Sequence, residues 1–351
     1  MNKLTGLFFA ATLLLGGAHS AALAQDAAKA TATRDMALYQ GTDRQERLLA
    51  AAKKEGELSV YHAYPKLTVV MDAFSKKYGI KIKAWRAGSE AILQRVTAEA
   101  RAGRFDVDIV QNNAPENEAA YREKLLQEVW SPYLKDLIPA AVASHKSWVG
   151  IKLEVFIAAY NTAAVKKEDL PKSYQDLQDP KWKGRLGIEA NDEAWFGTLL
   201  DELGEAQGTK IFNNIVARNG ISVHKGHSAL ANLVASGDVP LALTVFSWNP
   251  VQLKKKGAPI EGWYIQPLIV QPTTIAMLKK SPHPASALLF YDFMLSEGQK
   301  LLADDGSVPT SKLYQGEWRN IPMKVIDPAR ALDMQDKWLK EFDEIITKRA
   351  K

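Results

Sequence analysis

The run Val149–Thr162, VGIKLEVFIAAYNT, is fourteen residues of mostly apolar chain with Lys152 and Glu154 near its middle. An ordinary strand takes about five or six residues, so this one is long enough to leave one packed layer and enter another. A second such run is Tyr264–Leu278, YIQPLIVQPTTIAML, strand-like between its prolines. Two crossings predict two lobes, each built from discontinuous pieces of chain, that rotate about the paired strands as a hinge. No Gly/Ser-rich linker is present, which argues against two domains in series. At 351 residues the chain is too long for one typical core.

Outward from the crossings, strand and helix alternate. ELSVYHAY is followed by a helix from Leu67 to Tyr78, closed by Gly79, and then by the strand IKIKAW. Ser89 opens a helix that ends at Gly103, and VDIV follows as a strand. Beyond the first crossing, RLGIE, ISVH and VPLALTV read as strands and SALANLVAS as a helix. A helical tract covers 284–303, and an amphipathic helix covers 327–348. The alternation predicts an α/β fold of two lobes, each a mixed, mostly parallel sheet flanked by helices. The expected first lobe is 42–155 with 272–305. The second is 156–271 with 306–351, its C-terminal helices packing on it.

The N-terminus reads as an export signal. Lys3 supplies the positive start, LTGLFFAATLLLGG the apolar stretch, and Ala22-Leu23-Ala24 a small-residue cleavage site. Removing 1–24 takes the net charge from +5 to +4 (44 basic minus 40 acidic). The segment 25–41 is expected to be a loose tail, and Thr42 with Gln45 to form a helix-opening capping box. With no cysteine there is no disulfide frame, thiolate metal site or cysteine nucleophile. The modest, dispersed basic excess gives no nucleic-acid footprint.

No nucleophile elbow, phosphate-binding glycine loop or HExxH metal motif occurs. His224 and His227, in HKGH, make a weak metal pair. Ligands of open α/β sheets bind beyond the carboxyl ends of strands, and that rule selects the candidate residues. They are His62 and Tyr64 after the first strand, and Asn112 and Asn113 after VDIV. Asp192 and Trp195 follow RLGIE, and His227 and Ser228 follow ISVH. Phe246, Ser247 and Trp248 follow LALTV. Ser228 is expected to open a helix whose free N–H groups favour an anion. The aromatic residues form flat walls suited to a small molecule, an amine if Asp192 or Glu154 faces it or a carboxylate or phosphonate if Lys225, His227 and Ser228 do, and the charge of the solute stays open.

Together, AAKKEGELSVY, DLQDPKWKGRLGIE, HSALANLVASGDVPLAL and SPHPASALLFYDFMLSEGQKLLADDGSVP resemble the extracellular solute-binding proteins of bacterial ABC importers. The likeness is to the ferric-iron-binding group and covers nearly all of the chain after residue 24. It implies a type II periplasmic binding fold that closes on a solute and hands it to an inner-membrane permease. The chain departs from that group where the group carries an adjacent tyrosine pair for iron: here the residues are Phe246-Ser247-Trp248. Pro65 and Asn113 stand near where some members of the group place a histidine and a glutamate. Iron(III) wants anionic oxygen, so a small organic solute is expected. Ferric iron is the alternative, with Tyr64, Tyr160, Glu154, Asp192 and Glu193 as its remaining oxygens. An exported metal-dependent hydrolase built on His224, His227 and Asp192 is the alternative of another class. The expectation is a periplasmic monomer that is not an enzyme and has neither cofactor nor bound metal.

Overall fold

The computed structural model describes residues 28–349; the predicted signal segment 1–24 lies outside them. In chain order, helix α1 is described over 28–38, and α2 is Arg44–Glu55. Next come β1 (Glu57–His62), α3 (Leu67–Tyr78), β2 (Lys81–Arg86), α4 (Ser89–Arg101), β3 (Ile109–Asn113) and α5 (Ala114–Arg122). The crossing strand β4 is Trp148–Asn161. Beyond it lie β5 (Leu186–Glu189), α6 (Glu193–Leu203), α7 (Glu205–Asn219), β6 (Ser222–His224), α8 (His227–Ser236), β7 (Leu241–Phe246), α9 (Trp248–Lys255) and β8 (Ile260–Trp263). The return strand β9 (Leu268–Met277) leads to α10 (Pro284–Leu295), α11 (Glu297–Asp304), β10 (Val308–Pro309), β11 (Met323–Val325), α12 (Pro328–Asp333) and α13 (Gln335–Ile345).

The first half of β4 pairs antiparallel with β9, from Trp148 opposite Ala276 to Val155 opposite Val270. Its second half leaves β9 and pairs with β7 and β8. The strand order is therefore β2-β1-β3-β9-β4-β7-β5-β6, with β4 and β9 at the seam. Pairing is parallel in the wings, β1 with β2 and β3, and β5 with β6 and β7. It is antiparallel at the seam because the chain crosses once and returns. Pro272 is tolerated inside β9 because β3 pairs with 273–277 and β11 with 268–270. The proline falls between the two, where a missing N–H breaks no bond to either strand.

Each wing has its own core. Leu58, Val60, Phe74 and Phe290 centre the first. Trp182, Phe196, Phe212, Trp338 and Phe342 centre the second. The fold class is as expected, with local corrections. Residues 28–38 are helical, not a loose tail: the segment is alanine-rich, the best helix former. Ala37 is fully buried, and its carbonyl accepts the Trp130 N–H. The Thr42 capping box does not form. Asp43 precedes α2 instead and is held by Tyr39 and Arg47, each at 2.6 Å. The tract 284–303 breaks at Ser296, whose hydroxyl bonds back to the Asp292 carbonyl at 2.7 Å and competes with the helix ladder. Residues 308–309 pair with the first half of β4, and Trp338 and Phe342 of α13 lie in the second core.

That docking needs Gly197 on α6, where an added Cβ would lie 2.2 Å from the Trp338 ring. Gly197→Ala is expected to destabilise the protein by about 1–3 kcal/mol through overpacking. Urea denaturation checks this, and an unchanged midpoint would contradict the packing.

Candidate functional site

A cavity of about 520 Å³ opens at the seam between the wings. The first wing contributes Tyr64, Pro65 and Lys66 after β1, Gly88 and Ser89 after β2, and Asn113 at the end of β3. The second contributes Phe246, Trp248 and Gln252 from the β7–α9 junction. Glu154 and Thr273 come from the two crossing strands, and Ser307 from the segment after α11.

The walls are strand-to-helix junctions, some only a residue or two long. β7 ends at Phe246 and α9 begins at Trp248, so Ser247 alone makes the turn. Asn249 holds it, its Oδ1 accepting the Phe246 N–H at 2.9 Å. Across the cavity, the fully buried Gln111 plays a similar part. Its Oε1 accepts the N–H groups of Ala63 at 2.9 Å and Tyr64 at 2.7 Å. Lys66, Gly88, Asn113 and Ser247 precede α3, α4, α5 and α9, and no side chain caps any of these four helices. Helix N-termini carry partial positive charge, and α4 and α5 each place a glutamate, Glu90 and Glu116, in that first turn.

Charged side chains on the walls are paired. Glu154 binds the ammonium of the buried Lys152 and accepts the Trp248 indole N–H at 3.1 Å. Lys152 also lies 4.3 Å from the Tyr64 ring centre. Lys66 pairs with Asp305 at 2.9 Å. The Tyr64 hydroxyl donates to Asp305 at 3.0 Å and lies 3.0 Å from the Ser307 hydroxyl. Burial, with the nearby Asp305 charge, pushes its pKa up, so it stays a neutral phenol.

Of the expected residues, Tyr64, Asn113, Phe246, Trp248 and Glu154 line the cavity. His62 and Asn112 are buried supports: His62 donates to the Tyr64 carbonyl at 2.9 Å, and Asn112 to the Ser89 carbonyl at 3.0 Å. Burial lowers the His62 pKa. Trp195 is 2% exposed in the second core, edge-on to Phe212, because it faces inward from α6. Tyr160 is buried at the far end of β4, its hydroxyl on Glu261 at 3.0 Å. Ser228 holds Asn249 at 3.2 Å, and α8 opens at His227 without reaching the cavity lining. Asp192 and His227 pair at 3.0 Å just behind Phe246, against which the His227 ring stacks at 3.9 Å. Burial opposes charge on His227, but the Asp192 charge and hydrogen bond outweigh it and raise the pKa. His224 is turned away, bonded to Ser222 at 2.8 Å.

Sequence reasoning passed over Lys66, Gly88, Ser89, Gln252, Thr273 and Ser307. The strand-end rule would have found Gly88 and Ser89 had it been applied to β2 as to its neighbours. Gln111→Ala is expected to leave the Tyr64 N–H unpaired, while the Ala63 N–H keeps the Gln111 backbone carbonyl at 3.2 Å, and to destabilise the protein by about 1–3 kcal/mol. It should also loosen the Tyr64 loop, read as faster amide exchange at Ala63 and Tyr64; unchanged exchange there would remove Gln111 as the clamp.

The model of the family described as bacterial extracellular solute-binding protein matches residues 70–318. The chain is 28% identical over 194 residues to the Fe(3+)-binding periplasmic protein of Serratia marcescens, covering 54% of this chain and 56% of that relative. Its fold is similar to that of iron-bound HitA from Pseudomonas aeruginosa (TM-score 0.69, 23% identity, 80% of this chain and 99% of that one). It is similar, too, to AfuA from Actinobacillus pleuropneumoniae with exogenous fructose-6-phosphate bound (TM-score 0.66, 21% identity, 84% and 99%). The two wings, the paired crossing strands and the cavity at their seam are those of a type II periplasmic binding fold, and the chain belongs to the bacterial extracellular solute-binding protein family.

Proposed function

We propose that this protein is the periplasmic substrate-binding subunit of an ABC importer that captures a small organic anion and releases it unchanged to the permease. The observation that carries the solute class is the set of four helices, α3, α4, α5 and α9, opening without side-chain caps around one cavity. Such termini favour phosphate, phosphonate or carboxylate. The carboxylate on the cavity lining, Glu154, is paired with the Lys152 ammonium and accepts the Trp248 indole N–H, so its charge is already countered. Phe246 and Trp248 supply an apolar face for the rest of the molecule. The AfuA structure, with its sugar phosphate, is a precedent for an organic anion on this fold. No helix among the described residues is long and apolar enough to cross a membrane.

A second reading is ferric iron, favoured by the Serratia relative and by iron-bound HitA. Against it, Phe246 has no ligating atom, the Trp248 N–H only donates, and Tyr64 is a hydrogen-bonded neutral phenol. The hydrolase alternative loses its histidine pair, since His224 is engaged with Ser222.

Native mass spectrometry of protein taken from the periplasm identifies the cargo, and thermal shift compares matched anions and amines. Stabilisation by phosphate, phosphonate or carboxylate compounds is expected, and stabilisation by amines alone would overturn the anion assignment. Trp248→Ala is expected to weaken the identified solute at least tenfold with little change in melting temperature, measured by calorimetry. Ferric citrate is expected to raise no tyrosinate charge-transfer band; its appearance would favour iron.

A further inference from the structure

Behind Phe246, outside the cavity lining, Glu189, Asp192 and His227 each turn a ligand-type atom toward one point. These atoms lie within 4.8 Å of one another. Glu189 and Asp192 are 2% and 3% exposed. Glu189 ends β5 and is fixed by the N–H groups of Asn191 at 2.5 Å and Gly226 at 2.8 Å. His227, the first residue of α8, reaches Asp192 Oδ1 at 3.0 Å. The second oxygen of Asp192, Oδ2, is buried with no hydrogen-bond partner. Among the described residues no lysine or arginine pairs with either carboxylate, and His227 is the only counter-charge. Two buried carboxylates against one imidazole leave uncompensated negative charge and an orphaned acceptor, both costly in a protein interior.

We propose that this triad binds one divalent transition-metal ion of the zinc class. Two carboxylates and an imidazole are a donor set for such an ion. Bonds of about 2 Å separate tetrahedral ligands by roughly 3.3 Å, a modest contraction from the spacing present. The ion replaces the proton between His227 and Asp192, neutralises both acids and gives the orphaned oxygen a partner. It ties the end of β5 to the start of α8. Because the His227 ring stacks on Phe246 with an interplanar angle of 22°, it also stiffens the aromatic wall of the cavity. The site is separate in residues from the solute cavity and does not depend on what the cavity holds.

The test uses untagged mature protein stripped with chelator and titrated with zinc chloride, followed by calorimetry and native mass spectrometry. One zinc per chain is expected, with a rise in melting temperature. His227→Gln and Asp192→Asn are each expected to weaken zinc at least tenfold and abolish that rise. His227→Gln removes the counter-charge of two buried carboxylates, so its metal-free melting temperature is expected to fall, and zinc stoichiometry by native mass spectrometry on the folded variant is the deciding readout. His224→Gln is expected to bind zinc as the parent does. Absence of stoichiometric zinc, zinc retained by His227→Gln, or zinc lost in His224→Gln would each overturn the assignment.

Discussion

The antiparallel pairing of β4 with β9 is the constraint on which the rest of the molecule depends. These strands are the route by which the sheet passes from one wing to the other, and they share a ladder from Trp148 to Val155. Backbone hydrogen bonds of this ladder hold the two wings in register, and Arg122 of α5 adds a side-chain tie to Asp333 and the Ala329 carbonyl of α12. Bending of such a pair changes the separation of the wings while each core stays intact, which is how hinge closure works in two-lobed binding folds. Placing Glu154 and Thr273 on those strands puts side chains of the hinge itself on the cavity wall.

From that seam the electrostatics follow. Parallel wings direct the carboxyl ends of β1, β2 and β3 toward the seam, and each is followed by a helix whose N-terminus begins there. The tight turns are held from behind by buried amides, Gln111 in one wing and Asn249 in the other. These side chains do not need to touch a ligand. By accepting the loop N–H groups they leave the helix ends free to face the cavity. Charge pairing joins Glu154 with Lys152 and Lys66 with Asp305 on the wall.

The crossings were legible because a fourteen-residue apolar run is too long for a strand confined to one layer, and the wings because strand and helix periods differ. Side-chain direction was less legible. Trp195 and Trp248 both stand on the first turn of a helix that follows a strand, yet Trp195 faces a core and Trp248 a cavity. A helix turns each successive residue by about 100°, so a residue on its first turn can face either way, and only packing partners such as Phe212 decide. Tyr160 was misplaced for a related reason. On a strand that crosses the whole molecule, six residues carry a side chain from the cavity at Glu154 to the outer end at Glu261. Gln111 and Asn249 support the site through hydrogen bonds that no local sequence pattern reports.

The junction Phe246-Ser247-Trp248 decides how the family fold is used here. A turn of one residue between β7 and α9 leaves the flanking side chains, Phe246 and Trp248, on the cavity wall whatever their chemistry. Oxygen donors at those positions would sit opposite Tyr64 and Glu154 and could converge on a hard cation. With a phenyl ring and an indole there, the converging groups are flat carbon surfaces and an N–H already committed to Glu154. Tyr64 is drawn the same way, its hydroxyl spent on Asp305 and Ser307. On the proposed reading, the helix ends, which do not depend on side-chain identity, are what recognise charge. On that reading, the combination suits an anion with an apolar body better than a bare metal ion.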